Sequence, residues 1–106
     1  MPIVRLPEPL KFEWNKGNET KNWIKHKVSI EEAEDAFYDK KRLLLNDIKH
    51  SGKLESRYIL FGKTKKERML FIAFTIRKTQ VRVISARDAH KKEVKFYEEA
   101  ISLTEL

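Results

Sequence analysis

The sequence predicts an α+β domain, an antiparallel sheet of four to five strands with helices packed on one face. Three observations carry this. Segments 56–62, 69–76 and 80–87 are rich in β-branched and aromatic residues, and their connections are too short to join anything but antiparallel neighbours. Ser29 and Glu32 form an S-x-x-E pattern ahead of an apolar face at Ile30, Ala33 and Phe37, the signature of a capped helix. After Arg87, a basic segment places Val94, Tyr97 and Ile101 on one side at helical spacing.

In chain order, Leu10 to Trp14 alternates apolar and polar residues and reads as a short strand, with Asn15 next as an N-cap. Residues 16–26 read as a polar helix whose buried side is Trp23 and Ile24, weakened near its start by Gly17. The helix from Ile30 to Tyr38 follows, with Val28 and Ala33 placed to staple its cap. Leu43 to Leu45 reads as an edge strand, and Asp47 to Lys53 as a polar loop. In the next strand Tyr58 and Leu60 face one way while Arg57, Ile59 and Phe61 face the other. Met69 to Ile76 is apolar on both faces, as a sheet centre requires. In the strand after it, Val81, Val83 and Ser85 alternate with Arg82, Ile84 and Ala86. The last helix opens near Asp88 as N-cap. The sheet face away from the helices is expected to be partly open and edged by arginines.

A chain of 106 residues, 41% hydrophobic with two Trp, three Tyr and six Phe, suits one core. One domain spanning 1–106 is expected, with residues 1–9, interrupted by Pro7 and Pro9, and residues 102–106 as flexible ends. Cysteine is absent, which excludes disulfides, thiolate catalysis and zinc sites of the cysteine type. No window approaches the roughly 20 apolar residues of a membrane span, so a cytoplasmic protein with no membrane partner is expected. The net charge is +7 and the pI about 9.7. Much of that excess is local, with seven cations against two carboxylates between Ile76 and Tyr97. A polyanion is the natural partner, and a merely solvated basic surface the plain alternative. Neither a metal-binding pattern nor a nucleotide-binding glycine motif nor a G-x-S-x-G turn occurs, so no metal or cofactor is expected.

Cleavage of RNA by its own 2′-hydroxyl needs a base near that hydroxyl, an acid near the leaving 5′-oxygen, and cations for the charge gathering on phosphorus oxygens. Arg57, Arg82 and Arg87 are the candidate cations, because a guanidinium grips two phosphate oxygens and stays charged. Two have alternatives, a surface pair with Glu55 for Arg57 and a solvated face for Arg82, whereas Arg87 is favoured because it ends a strand at the start of a basic helix whose N-terminus favours phosphate. His26, His90 and His50 are the acid–base candidates, with Glu55 as a carboxylate alternative. His26, at a helix end, also suits capping of the last carbonyls, and His50 reads as surface. His90 falls in a first helical turn, where the dipole disfavours its charged form. Tyr58 and Tyr97, if exposed, would stack on bases, and Lys25, Arg77, Lys78 and Lys91 would extend the phosphate track. Lys63, Lys65, Lys66 and Arg68 form either a further part of that track or a soluble hairpin tip. Trp14, Trp23, Phe37, Phe71 and Phe74 read as core.

The succession FEWN at 12–15, Asn22 through KHKV at 25–28, EEA at 31–33 with Phe37, the segment from Glu55 to Gly62, FT at 74–75 and RVISAR at 82–87 resembles the BrnT family of type II toxins. The likeness covers about residues 12–99, and the order and spacing of six blocks give it its weight. It implies an RNA-cleaving toxin of RelE-like architecture that inhibits translation and growth. It further implies a BrnA-type antitoxin that holds the toxin inactive and also binds operator DNA. His26 falls inside a matching block. Two positions depart from the family pattern, which favours Gly at Lys27 and Asp at Asn15. A Lys where the chain turns left-handed pays a steric cost that Gly avoids, whereas Asn keeps the N-cap. The alternative reading is a non-catalytic nucleic-acid-binding module, including a toxin homologue without activity that acts in regulation.

Overall fold

Four antiparallel strands, β1 (Leu43–Asn46), β2 (Tyr58–Lys63), β3 (Met69–Arg77) and β4 (Gln80–Asp88), pair in the order β1-β2-β3-β4, so every strand lies beside its neighbour in sequence. Three helices accompany them, α1 (Lys21–His26), α2 (Ile30–Phe37) and α3 (Lys91–Thr104), and a 3-10 turn spans Ile48–His50. This is a computed structural model, and it describes residues 5–52 and 55–104.

The register puts Leu60, Ile72 and Ala86 in one row across β2, β3 and β4, and Phe61, Phe71 and Arg87 in the next. Because the pleat alternates, these rows point to opposite faces. The first face carries the core: Leu60, Leu70, Ile72, Phe74, Val81, Val83 and Ala86 are buried with Val28, Ala33, Ala36 and Phe37. Phe37 sits edge-on between Phe12 and Phe74, with ring centroids 5.2 and 5.1 Å away. Gly62 lets α2 approach β2, since a Cβ there would collide with the carbonyl oxygen of Ala36.

The α2 cap forms as its sequence predicts. Ser29 Oγ accepts from Glu32 N at 3.1 Å, and Ser29 N donates to Glu32 Oε1 at 3.1 Å. Lys27 takes the left-handed conformation that links α1 to this cap, with φ 55°.

Several expectations are corrected. Leu10 to Trp14 is not a strand: it makes a single parallel bridge, Phe12 to Val81, held by Val81 N to Lys11 O and Glu13 N to Val81 O, each 2.8 Å. Pairing stops there because the buried Asn18 amide takes over, donating to Glu13 O and Val83 O. The next helix begins at Lys21 rather than residue 16, and Trp23 and Ile24 are exposed (52% and 71%). Its buried residue is Asn22, whose Oδ1 accepts from Ala86 N on β4 at 2.9 Å. A bulge in β4 interrupts the expected alternation. Ser85 pairs with Ala73 and Val83 with Phe74, so Val81, Val83 and Ala86 all reach the core while Arg82 and Ser85 lie on the other face.

The last helix starts at Lys91, and Asp88 closes β4. His90 stands just outside the helix, with His90 N donating to Glu93 Oε1 at 2.7 Å. α3 lays Phe96 against Phe61, 5.9 Å between centroids, and so closes one end of the second sheet face. At the chain ends, Leu6 packs against the core and Ser102 lies within α3. Residues 1–4, 53–54 and 105–106 lie outside the described residues. No described helix is long and apolar enough to cross a membrane.

Candidate nucleic-acid interface

The second sheet face gathers the three candidate arginines. Arg87 stands opposite Phe71 and Arg82 opposite Thr75, and Arg57, one residue before β2, shares the face of Ile59 and Phe61 by the same alternation. Ile59, Ala73 and Ser85 lie in the row between them. At roughly 3.3 Å per residue, Arg82 and Arg87 are about 15 Å apart along β4, a span of two to three nucleotides.

The arginines differ in what already holds them. Among the described residues, no carboxylate engages the Arg57 guanidinium, although its backbone is fixed by Arg57 N to Ser51 Oγ at 3.0 Å and Asp47 N to Arg57 O at 2.8 Å. Glu55 gives its carboxylate to Arg77 instead, accepting from Nε and Nη2. Arg82 is 16% exposed, with Nη1 3.6 Å from Glu13 Oε2 and Nη2 3.3 Å from Asn15 Oδ1. Arg87 stacks its guanidinium 3.9 Å above the Phe71 ring and grips both oxygens of Glu93, at 2.8 and 3.0 Å. Those Arg87 hydrogen bonds are the main reason Glu93 sits below the usual carboxylate range, against the opposing effect of burial.

Other candidates lie elsewhere. Lys25 and His26 belong to α1, which packs on β4 beside the core, and not to the arginine face. The His26 carbonyl is held by Arg68, whose five donors are all engaged: Asp88 through Nε and Nη2, Glu32 and Lys27 O through Nη1, His26 O through Nη2. Arg68 is thus a clamp between α1, the α2 cap and β4. Tyr58 lies on the core face, 5.5 Å from Phe74, and Tyr97 is 2% exposed with its hydroxyl on Asp39 Oδ2 at 2.6 Å. Neither ring stands free for a base in the way its stacking role requires. Lys78 occupies the β3–β4 turn, and Lys91 is exposed at the start of α3.

One arrangement escapes sequence reasoning. In the loop after β1, His50 Nδ1 meets both oxygens of Asp47 at 3.1 and 2.9 Å, and the loop folds back on Arg57. The D-x-x-H spacing within a turn was the available signal. Among the described residues no group of three or more His, Cys, Asp or Glu is placed to hold a metal ion.

Arg57, Arg82 and Arg87 thus share one sheet face with the apolar Ile59, Phe61 and Phe71, on a small α+β scaffold. A family model described as the ribonuclease toxin, BrnT, of type II toxin-antitoxin systems matches residues 14–93. The chain belongs to that family of ribonuclease toxins, which makes RNA its substrate class and an antitoxin its partner. No curated protein matches the chain.

Proposed function

We propose that this protein is a metal-independent endoribonuclease that acts in the cytoplasm, inhibits translation and growth, and is neutralised by a BrnA-type antitoxin. The observation that carries the reading is the common face of Arg57, Arg82 and Arg87. Arg57, the guanidinium with no carboxylate partner among the described residues, meets the scissile phosphate. Arg87, locked flat between Phe71 and Glu93, and Arg82, beside Glu13, line the path of the flanking phosphates. Arg77, Lys78 and Lys91 extend that path at the rim. Glu55 holds Arg77 and offsets part of its charge at that rim, and Lys25, His26, Tyr58 and Tyr97 serve the fold.

An antitoxin that covers this face masks it from phosphate directly, so neutralisation needs no conformational relay. Operator DNA is then bound through the antitoxin. The test is end mapping of a defined RNA incubated with the chain in the presence of a chelator, with and without the partner. Cuts bearing 2′,3′-cyclic phosphate and 5′-hydroxyl ends, abolished by the partner, are expected; cleavage only on addition of a divalent cation contradicts the reading.

A second reading, a non-catalytic nucleic-acid-binding module, draws support from the carboxylates that already engage Arg82 and Arg87. Expression without the partner separates the two: the ribonuclease arrests growth, the module does not.

A further inference from the structure

The loop between β1 and β2 holds a histidine–carboxylate pair that the arginine face does not explain. The Asp47 backbone makes three hydrogen bonds that shape the loop: Asp47 N donates to Arg57 O, while Asp47 O accepts from His50 N at 3.2 Å and Ser51 Oγ at 2.8 Å. Ser51 Oγ in turn accepts from Arg57 N, and Gly52 N donates to Glu55 O at 2.8 Å. The 3-10 turn carrying His50 is therefore stitched to the backbone of Glu55 and of Arg57 itself, the one arginine of the three with no carboxylate among the described residues.

Within that loop the imidazole is oriented. Nδ1 lies against the Asp47 carboxylate, which fixes Nδ1 as the protonated nitrogen and leaves Nε2 as the acceptor. The Asp47 side chain is 15% exposed and the His50 side chain 59% exposed, so the orienting group is sheltered while most of the imidazole is open to solvent. A histidine that serves only as surface has no need of a sheltered carboxylate partner, and one that serves only as a loop tether has no need of an exposed ring.

We infer that His50 is the general base of RNA cleavage, with Asp47 as its positioning residue. The inference rests on the ribonuclease reading and names the proton-transfer group of that same site. In the step, Nε2 of His50 takes the proton of a ribose 2′-hydroxyl. The 2′-oxygen forms its bond to the adjacent phosphorus while the bond from phosphorus to the 5′-oxygen breaks. Water supplies the proton to the departing 5′-oxygen, and the imidazolium returns its own to solvent. The Asp47 carboxylate holds the imidazole in place, while Arg57 meets the charge on the non-bridging oxygens. Among the described residues Asp47 meets the imidazole, and the other charged groups of the loop are Lys49 on the same turn and Glu55 and Arg57 across the fold-back, with Glu55 held by Arg77.

The experiment compares the full chain with His50→Gln, His50→Ala and Asp47→Asn. Cleavage is measured on a defined RNA, free and in a translating extract, from pH 5 to 9. Binding is measured by anisotropy with the same RNA carrying 2′-deoxyribose at the cut. The wild-type rate should fall as the pH is lowered, because only an unprotonated Nε2 can take the proton. Both His50 variants should lose about 100- to 10,000-fold in kcat and lose that pH dependence, with binding and Tm unchanged. Asp47→Asn should lower kcat with KM kept. Cleavage at wild-type rate by both His50 variants overturns the assignment while leaving the ribonuclease reading intact. Absence of cleavage by the wild type in both settings overturns the ribonuclease reading and this assignment with it.

Discussion

The Arg77 guanidinium holds Glu55 through two hydrogen bonds, 3.0 Å from Nε and 2.8 Å from Nη2. Arg57 is thereby left without the carboxylate that lies two residues before it, and Glu55 is spent on tethering the end of β3. Replacing Glu55 by Gln removes a negative charge beside the phosphate path and releases Arg77. RNA affinity should rise, and the dependence of log K on log salt should steepen by about 0.7, the increment of one further phosphate contact on a single strand. A salt titration of RNA binding checks this, and an unchanged slope would show that Arg77 stays off the path.

Arg87 serves two ends at once, since it stacks on Phe71 and pairs with Glu93 at the start of α3. Arg87→Ala should cost about 1–3 kcal/mol of stability through the lost charged hydrogen bonds, besides weakening RNA binding. Glu93→Gln should cost stability while retaining RNA binding. Chemical denaturation and filter binding on both variants distinguish a tether of α3 from a phosphate contact.

Arg68 binds Asp88, Glu32 and two carbonyls at the end of α1, and its hydrogen bonds to Asp88 hold that carboxyl below the usual range. Burial pushes Glu32 up, but the Ser29 N–H and Arg68 outweigh it and the net shift is downward. A carboxylate with a lowered folded-state value contributes stability that is complete above its unfolded value, about pH 4, and is lost as pH falls through the folded one. Stability should therefore decline below pH 4. Arg68→Met should reduce both the stability at pH 7, by about 1–3 kcal/mol, and the steepness of that acid decline. Urea denaturation at pH 7 and pH 3 measures both.

The β3–β4 turn uses Lys78 and Thr79, with φ 49° and 67°, between the paired residues Arg77 and Gln80. Two left-handed residues make a type I′ turn, whose natural occupants are Asn and Gly. The double change Lys78→Asn with Thr79→Gly should stabilise the fold by about 1–2 kcal/mol, as should Lys27→Gly by about 1 kcal/mol. Thermal unfolding reads both, and no gain at Lys27 would mean that its Nζ over the Trp23 ring, 5.4 Å from the centroid, offsets the strain.

The strands, the α2 capping box and the order of elements were legible because each rests on local periodicity or a local pattern. What failed had nonlocal causes. Trp23 and Ile24 looked like the buried side of a helix, yet Asn22 takes that place because its amide satisfies the Ala86 N–H of β4, 64 residues away. The bulge at Ile84 reset the alternation of β4, and nothing in VRVISAR marks it. Arg57, Arg82 and Arg87 were recognisable as cations on strands. Their separation into two guanidiniums engaged by carboxylates and one with none among the described residues depended on Glu13, Glu55 and Glu93 finding partners in three dimensions. His50 is an acid–base candidate that reads as surface because a polar loop usually is, and its pairing with Asp47 emerges only when the 3-10 turn closes.

The most direct test of the arginine face is the single-turnover cleavage rate of a defined RNA by the purified chain and by Arg57→Ala, compared at equal Tm. Loss of at least about 100-fold in rate with the fold retained is the expected result. Equal rates for the two proteins would contradict the assignment of the open sheet face as the site of RNA cleavage.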